Sequence, residues 1–410
     1  MASDLYDEWL AVGGDRSALW ALTRVAQDAG ALRGLDVSLG RFLGDCAPQA
    51  PDLAVWLAIC CSAQLGHGHV CLDLQALCQD PLEALALSGP VPGPLQSMAQ
   101  ALQRHGLIAC QAALDRSGFV GDGADDTGGE PLVRRDHRLY LARYWRAEHR
   151  VRLAIDARLA ARAELDADPG RTRVWLDALF PASANPAVDW QKIACATASE
   201  HAFCIVAGGP GTGKTSTVVR LLALLQGLAL ERDASRGLRI RLAAPTGKAA
   251  ARLNDSMASA LADLRQSAPE FVQSALDSLP ARAETLHRLL GSRPNTRHFR
   301  HTADHPLPAD VVVIDEASMM DIEITDAILS ALPPGARLIL LGDKDQLASV
   351  EAGAVLGELC ARAAQGHYTE RHCQRLAALT GCEIPAQYRD AHGTALDQAI
   401  VMLRHSHRFQ

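Results

Sequence analysis

The sequence lacks the features that mark membrane-spanning, secreted and disulfide-stapled proteins. No apolar run approaches the roughly 18 residues needed to cross a bilayer, and the most hydrophobic stretch, Leu53 to Leu65, predicts a core helix. The N-terminal residues have neither the basic region nor the apolar core of a signal peptide. The eleven cysteines are scattered and include no C-x-x-C pair, which favours reduced thiols over disulfides. We therefore expect a cytoplasmic protein without a membrane partner.

An excess of positive charge is also absent. The formal net charge is −7 at pH 7, which argues against indiscriminate binding to polyanions but leaves room for a local basic groove. The sequence has no internal repeat, no low-complexity tract and no H-x-H-x-H run. Its 410 residues, 48% of them apolar, suffice for two or three domains with sizeable cores.

The clearest feature that the sequence does have is a phosphate-binding loop of the form G-x-x-x-x-G-K-[ST]. Glycines let the backbone N–H groups point at phosphate oxygens, and the following helix adds its positive N-terminal end. Lys214 would reach the β- and γ-phosphates, and the Thr215 hydroxyl would bind Mg²⁺. A chance match is the alternative, but an apolar strand precedes the loop and an apolar helix follows it. The predicted nucleotide-binding residues are Gly208, Gly209, Pro210, Gly211, Thr212, Gly213, Lys214, Thr215 and Ser216.

Two carboxylates end another apolar run. Val311–Ile314 is fully apolar, and Asp315 and Glu316 follow it directly. Asp315 would hold Mg²⁺, and Glu316 would orient and deprotonate an attacking water. A plain surface pair is the alternative, but it does not explain why the pair ends an apolar strand. Together with the phosphate loop, these carboxylates predict a nucleoside triphosphate hydrolase.

Four short apolar runs predict the sheet that carries these motifs. They show no polar alternation, as expected of parallel strands that helices cover on both faces. Each run leads into a polar loop, and in open α/β sheets ligands bind at the carboxyl ends of the strands. We therefore expect one α/β domain with a single site at that edge. The predicted strands are Phe203–Ala207, Ile240–Ala244, Val311–Ile314 and Arg337–Leu341.

Five sequence blocks, in their order along the chain, resemble the motifs of superfamily 1 DNA helicases, and most closely those of the RecD family. The resemblance is strong from Asp189 to Cys360 and fainter at Gly68–Leu72 and Leu139–Leu141. It implies a RecA-like P-loop domain with a parallel sheet and flanking helices, preceded by a mostly helical domain. The five blocks are Gly208–Thr215, Ala244–Ala250, Thr285–Gly291, Val313–Ser318 and Leu341–Val350.

The resemblance also implies roles for residues that local chemistry leaves open. Gln191 lies where the family reads the adenine edge, which implies a preference for ATP. Gln346 matches the glutamine that couples the γ-phosphate to domain movement; from its spacing alone, a polar turn is the alternative. Arg408 matches the arginine of the fourth helicase motif. Three further residues fall in segments that face single-stranded DNA in relatives: Thr246, Lys248 and His287.

The domain organisation is expected to comprise four segments. Residues 1–120 form a helical domain that docks onto a partner subunit, and the glycine- and aspartate-rich residues 121–130 form a flexible linker. Residues 131–361 form the first motor domain, in which Arg134–Glu164 is expected to be one long helix. Residues 362–410 begin a second motor domain. Family members continue beyond this point, so the resemblance implies a C-terminally truncated chain that is incomplete for turnover.

The function implied by the resemblance is an ATP-dependent 5′→3′ DNA helicase or translocase subunit. It would belong to an exodeoxyribonuclease V (RecBCD) complex with two larger RecB- and RecC-like subunits, acting in double-strand break repair and homologous recombination. It would use ATP and Mg²⁺ and bind single- and double-stranded DNA. Three alternatives stay open: a stand-alone RecD-like helicase, a relaxase-linked conjugation helicase, and an ATP-binding switch or scaffold subunit without motor activity. The missing H-x-H-x-H run speaks against the relaxase.

Overall fold

The computed structural model describes residues 16–86, 90–124, 128–161, 168–181, 188–280, 282–296, 298–344, 346 and 352–405. The chain forms two compact units. The first contains the described residues up to His149 together with residues 352–353. The second contains the other described residues from Arg150 onward.

The first unit is built around a helix that is buried on every side. Residues Leu53–Ala63 of this helix are almost inaccessible to solvent, because the segment is apolar around its whole circumference. Leu53, Trp56 and Leu57 are each 0% exposed, so these side chains form internal core and are not available for docking. The helices that lie in this unit are α1 (Ser17–Asp28), α2 (Gly34–Cys46), α3 (Asp52–Gly66), α4 (Leu74–Gln79), α5 (Pro81–Ala84) and α6 (Gly93–Asp115).

A small sheet completes the first unit, with the strand order β1-β4-β3-β2. Its strands are β1 (Cys71–Asp73), β2 (Val120–Gly121), β3 (Leu132–Arg135) and β4 (Arg138–Leu141). The antiparallel pairing of β1 with β4 sets Cys71 opposite Tyr140 and Leu72 opposite Leu139. The two segments with the fainter family resemblance therefore lie side by side.

This sheet changes two of the boundaries predicted from the sequence. Arg134–Glu164 is not one helix: β3 and β4 form a hairpin turning at Asp136 (φ 53°), and α7 (Ala142–Ala160) follows it. Glu164 lies outside the described residues. Because the hairpin pairs with β1 and β2, these strands belong to the first unit and not to the motor domain.

Residues 121–130 likewise connect strands within one sheet and do not link two domains. Gly121 pairs with Val133 of β3, and Gly123 adopts φ 68° directly beneath the Trp145 indole. A Cβ at Gly123 would lie 2.5 Å from Trp145 Nε1, so glycine serves close packing here as well as flexibility. Residues 125–127 lie outside the described residues.

The second unit contains a parallel sheet with the order β10-β5-β9-β8-β6-β7. The four strands predicted from apolar runs are confirmed, and two more flank them. Alternate residues of β5, such as Cys204 and Val206, lie in the hydrophobic core that the sheet shares with its helices. Ile205 between them is also buried. The strands are β5 (Phe203–Gly208), β6 (Ile240–Ala244), β7 (Ala283–Thr285), β8 (Val311–Ile314), β9 (Arg337–Gly342) and β10 (Ile400–Leu403).

Helices cover this sheet and 3₁₀ turns shape two of its loops. The turns are Ala317–Met319 and Ala386–Tyr388. The helices are α8 (Pro169–Leu179), α9 (Trp190–Glu200), α10 (Lys214–Arg232), α11 (Gly247–Ser267), α12 (Glu270–Asp277), α13 (Leu286–Leu290), α14 (Ile322–Ala331), α15 (Val355–Leu359), α16 (Glu370–Thr380) and α17 (Ala395–Gln398). Within the described ranges, no helix combines the length and the apolarity that crossing a membrane requires.

Strand β10 shows that residues 362–405 belong to the second unit and not, as expected from the sequence, to a separate motor domain. Ile400–Leu403 pairs in parallel with Ile205–Gly208 of β5. Leu376 and Leu379 of α16 lie in the same hydrophobic core as the central strands. The described residues from 362 onward therefore add strand β10 to the edge of the sheet of the second unit.

All eleven cysteines are free thiols, and seven of them are buried.

Candidate active site

The parallel sheet brings four polar loops to one edge. Strands β5, β6, β8 and β9 all run in the same direction, so the residues that follow them emerge at the same side of the sheet. The strand order places the loop after β5 next to the loop after β9, and the loop after β9 next to that after β8.

The loop after β5 has the geometry of a phosphate cradle. Gly211 and Gly213 have φ angles of 79° and 81°, which glycine adopts without the steric cost that other residues pay. Thr212 Oγ1 donates to the carbonyl of Gly209 at 2.8 Å and closes the loop. α10 begins at Lys214, so its free N–H groups and its dipole face the concavity that the loop encloses.

Lys214 lies over this loop. Its Nζ donates to the carbonyl oxygens of Gly208 and Gly209 at 2.6 and 3.2 Å. Thr215 and Ser216 occupy the first turn of α10, where both are partly exposed. The loop and the first turn of α10 thus bring together an ammonium group, backbone N–H groups and two partly exposed hydroxyl residues.

Asp315 and Glu316 occupy the end of β8 as predicted. The Asp315 N–H donates to Ala243 at 2.9 Å, and its Oδ1 accepts from the Glu316 N–H at 2.9 Å. Burial raises the pKa of Asp315, the negative charge of Glu316 adds to the rise, and the nearby Lys214 ammonium opposes it. A buried carboxylate with a raised pKa gains from a bound cation, because the cation compensates for its lost solvation.

The backbone at Glu316 is in the left-handed region, with φ 53°. This conformation is uncommon for a residue other than glycine, asparagine or aspartate, and it turns the chain sharply at the end of β8. The 3₁₀ turn that follows passes close to the end of β9: a Cβ at Gly342 would lie 3.3 Å from the Ser318 N–H nitrogen. Gly342 therefore permits the loops after β8 and β9 to pack against each other.

Asp343 is a site residue that the sequence reasoning did not single out. It is only 7% exposed and directly follows β9. A Cβ at Gly209 would lie 3.9 Å from Asp343 Oδ2, so this carboxylate lies beside the phosphate loop. The pairing of Ala207 with Gly342 places it there. Only the pairing of two strands distant in sequence reveals this proximity.

Gln346, three residues further along, is exposed, and its N–H donates to the Asp343 carbonyl at 3.3 Å. Gln346 follows β9, and in the sheet β9 lies between β5, which leads into the phosphate loop, and β8, which precedes Asp315. Arg408 lies outside the described residues.

Gln191 is brought to the phosphate loop by the start of α9. Asp189 caps this helix, accepting from the Lys192 N–H at 3.0 Å. Gln191 Nε2 donates to the Thr212 carbonyl at 3.1 Å. A residue 21 positions earlier in the sequence thus contacts the loop directly.

The predicted DNA-contacting residues lie together at a different part of the same edge. Ala244 of β6 pairs with Thr285 of β7, so Thr246 and His287 each emerge two residues beyond that pair. Thr246 caps α11 by accepting from the Ala249 N–H at 3.2 Å. Thr246, Lys248 and His287 are all exposed. Strands β8 and β9 separate this group from the phosphate loop.

Comparison with known proteins adds two family profiles. The profile described as the N-terminal domain of RecBCD enzyme subunit RecD matches residues 28–140. The profile described as an AAA domain matches residues 191–352, a range that includes the loops after β5, β6, β8 and β9.

Curated relatives are similar over most of this chain. The RecBCD enzyme subunit RecD of Haemophilus influenzae is 37% identical over 341 residues, which are 83% of this chain and 52% of that protein. The RecD subunit of Mycolicibacterium smegmatis is 39% identical over 321 residues, 75% of this chain and 49% of that protein. The ATP-dependent RecD2 DNA helicase of Deinococcus radiodurans is 31% identical over 250 residues, 61% of this chain and 30% of that protein. The chain spans about half the length of the RecD subunits that it matches.

Proposed function

Because the chain belongs to the RecD family of superfamily 1 helicases, we propose that it acts as an ATP-dependent 5′→3′ DNA helicase or translocase subunit. The complex would be of the RecBCD exodeoxyribonuclease V type, acting in double-strand break repair and homologous recombination. One observation carries the proposal. The phosphate loop and the pair Asp315–Glu316 emerge from strands of one parallel sheet at the same edge, separated only by β9.

Nucleotide binding is supported by the shape of the loop from Gly208 to Ser216. Its backbone N–H groups and Lys214 would hold the phosphates, and Gln191, already bonded to Thr212, would read the edge of adenine. Lys214 would exchange its contacts with the Gly208 and Gly209 carbonyls for the β- and γ-phosphates. This exchange is favourable because an ammonium–phosphate contact is charge-assisted.

Mg²⁺ fits the oxygen ligands that the loops after β5 and β8 present. Thr215 and Asp315 would hold it, since a hard cation prefers hydroxyl and carboxylate oxygens. The ion would supply neutralisation of the charge that develops on the phosphates. Glu316, adjacent in sequence to the ligand Asp315, would accept a proton from the attacking water. Gln346 and Arg408 would sense the γ-phosphate.

DNA binding is supported by the exposed group at the start of α11 and α13. Lys248 would contact a backbone phosphate, and His287 would stack on or hydrogen-bond to a base. Thr246 would donate its hydroxyl to the same strand. The protein would move along DNA because its affinity for the single strand would change as ATP binds and is hydrolysed.

The partners proposed are two larger subunits like RecB and RecC, one of which the N-terminal unit would contact. Matching of residues 28–140 to the RecD N-terminal profile supports this. A subunit that acts on chromosomal DNA would work in the cytoplasm. The sequence carries no nuclease motif of its own, so the exonuclease activity would reside in a partner.

The test measures Mg·ATP binding by calorimetry and phosphate release with and without single-stranded DNA. Wild-type chain should bind Mg·ATP, and Lys214→Ala should weaken binding about tenfold or more, because it removes a charged phosphate contact. Arg232→Ala, at the far end of the same helix, serves as the control and should bind normally. Equal binding by wild type and Lys214→Ala would contradict the phosphate-loop assignment.

A stand-alone helicase is the second candidate, and the similarity to the RecD2 helicase of Deinococcus radiodurans favours it. Co-purification separates the two. A RecBCD-type subunit should co-purify with RecB- and RecC-like proteins and contact one of them through its N-terminal unit, whereas a stand-alone helicase should remain alone. A switch or scaffold subunit without motor activity would bind Mg·ATP in the assembled complex and still give no DNA-stimulated hydrolysis there.

A further inference from the structure

Arg220 is a positively charged residue close to the phosphate loop that has no place in the mechanism above. It lies on α10, four residues after Ser216, and is partly exposed. Side chains of a helix point back toward its N-terminus, so the Arg220 guanidinium reaches the first turn. There its Nη1 donates to Ser216 Oγ.

Two further contacts hold the guanidinium in one orientation. Nε donates to the Leu179 carbonyl at 3.0 Å, and the group lies over the Phe180 ring, 5.2 Å from its centroid. Phe180 is 7% exposed and packed in the hydrophobic core, so it forms a fixed support. A hydrogen bond on each of two nitrogens and a ring beneath define the plane of the guanidinium.

In the part of the chain that the structure describes, no acidic side chain pairs with Arg220. Among the residues that the structure describes, no carboxylate oxygen lies within 4 Å of the guanidinium, although 13 Lys or Arg side chains there have such a partner. Arg220 also helps to close the carboxyl end of α8, since Leu179 is its last residue. That structural role uses Nε alone and accounts neither for the Ser216 contact nor for the ring beneath.

The position corresponds to the nucleoside end of the proposed site. Lys214 and the carboxylates after β8 would serve the terminal phosphates, so the α-phosphate and the nucleoside would lie toward the other end of the loop, near Ser216. Gln191 approaches the loop from α9, and Cys195, one turn further on the same face, donates to Thr217 O at 3.5 Å. Residues of α9 and the Arg220 side chain therefore both border the first turn of α10.

We propose that Arg220, supported from beneath by Phe180, provides the stacking surface for the purine base of the bound nucleotide. This inference rests on the proposed ATP-binding function and adds a specificity residue to it. A guanidinium is planar and stacks on aromatic rings and on nucleobases. The Phe180 ring lies on one side of the guanidinium, and the purine would stack on the other side. Gln191 would select adenine by hydrogen bonding at its edge, whereas Arg220 would bind any purine.

The test compares ATP with inorganic tripolyphosphate, which has no base, in calorimetric titrations with Mg²⁺. Arg220→Ala should weaken ATP binding about tenfold and leave tripolyphosphate binding unchanged. Arg220→Lys, which keeps the charge but not the plane, should show the same selective loss. GTP should be weakened by the same factor as ATP, because stacking does not discriminate between purines. Arg232→Ala on the same helix should change none of these affinities.

Each contrary result has a distinct meaning. Equal weakening of ATP and tripolyphosphate, or full rescue by lysine, would show that Arg220 acts through its charge on the phosphates, and would overturn the stacking role. If tripolyphosphate bound to wild type as tightly as ATP, the base would contribute nothing to binding, and the proposed base subsite would be contradicted. The phosphate-loop assignment would still hold. Binding of neither ligand to wild type would overturn the proposed function itself. Thermal melting of each variant separates loss of folding from loss of affinity, and Arg220→Lys carries the test if Arg220→Ala does not fold.

Discussion

Gly208 and Leu403 lie opposite each other in the parallel pairing of β5 with β10. The first is the last residue of the strand that enters the phosphate loop, and the second ends the last strand of the sheet. A Cβ at Gly208 would be 3.1 Å from the Leu403 Cβ and 2.7 Å from Thr212 Oγ1. The chain after β10 therefore leaves the sheet beside the phosphate loop.

This close approach predicts that Gly208→Ala damages both stability and nucleotide binding. The added methyl would have to push Leu403 or the Thr212 side chain aside, which should lower the free energy of unfolding by about 2 kcal/mol. Chemical denaturation measures the loss, and calorimetry with Mg·ATP measures the affinity. Gly357→Ala is the matched control, since a Cβ there meets nothing within 4 Å. If Gly208→Ala had the same stability and the same ATP affinity as wild type, the pairing of β5 with β10 would be contradicted.

Glu316→Gln should separate nucleotide binding from hydrolysis. The amide keeps the size of the side chain but cannot accept a proton, so hydrolysis should fall by about 10²-fold or more while Mg·ATP affinity is retained. Phosphate release by the proposed complex in the presence of single-stranded DNA gives the rate. Glu323→Gln, an exposed residue in the first turn of α14, should leave the rate unchanged. A fall in ATP affinity with Glu316→Gln would indicate a structural role instead.

Asp315→Asn should make the protein more stable and less able to bind Mg·ATP. The pKa of Asp315 is raised above its ordinary 3.8, chiefly by burial, so the folded state holds this proton more tightly than the unfolded state. Wild type therefore loses stability as pH rises from the ordinary pKa through the raised one. Asparagine does not titrate, so the variant avoids this loss.

The melting temperature of Asp315→Asn should thus exceed that of wild type by about 2 °C at pH 7, and the difference should shrink at acid pH. Thermal melting across a pH series without nucleotide provides the measurement. A difference that stayed constant with pH would show that the gain does not come from the Asp315 charge.

Lys248→Ala should weaken single-stranded DNA binding and lower its dependence on salt. Removing one phosphate contact reduces the slope of log K against log salt by about 0.7. Fluorescence anisotropy at several salt concentrations yields the slope. Arg265→Ala, in the last turn of the same helix and ion-paired with Asp277, is the control with an unchanged slope. If the affinity fell without a change in slope, Lys248 would not contact a phosphate of the DNA backbone.

Much of the site could be predicted from local sequence. The apolar runs ending at Ile314 and Leu341 show no polar alternation, and the structure confirms both as buried central strands. Since parallel strands share a direction, the loops after them had to meet at one edge. The glycines of the phosphate loop adopt the conformations that the motif requires.

The relationships that local patterns missed all depend on contacts between residues distant in sequence. Strand β7 is short and polar, and Ala283–Thr285 becomes a strand only by pairing with β6. The hairpin of β3 and β4 was predicted as a helix because its arginines and aromatic residues suit either structure. The proximity of Asp343 to Gly209 depends on the register of β5 against β9.

The sequence by itself determined the chemistry: a phosphate loop, a carboxylate pair and a set of ordered blocks that identify the family. These features are local, and the rules linking glycine, lysine and carboxylate to phosphates and cations apply wherever the chain places them. Only the tertiary structure decided that β10 pairs with β5, that residues 132–141 belong to the first unit, and that Arg220 rests on Phe180. Those outcomes depend on packing between segments that are far apart in the chain. Local sequence patterns do not predict the energy of such packing.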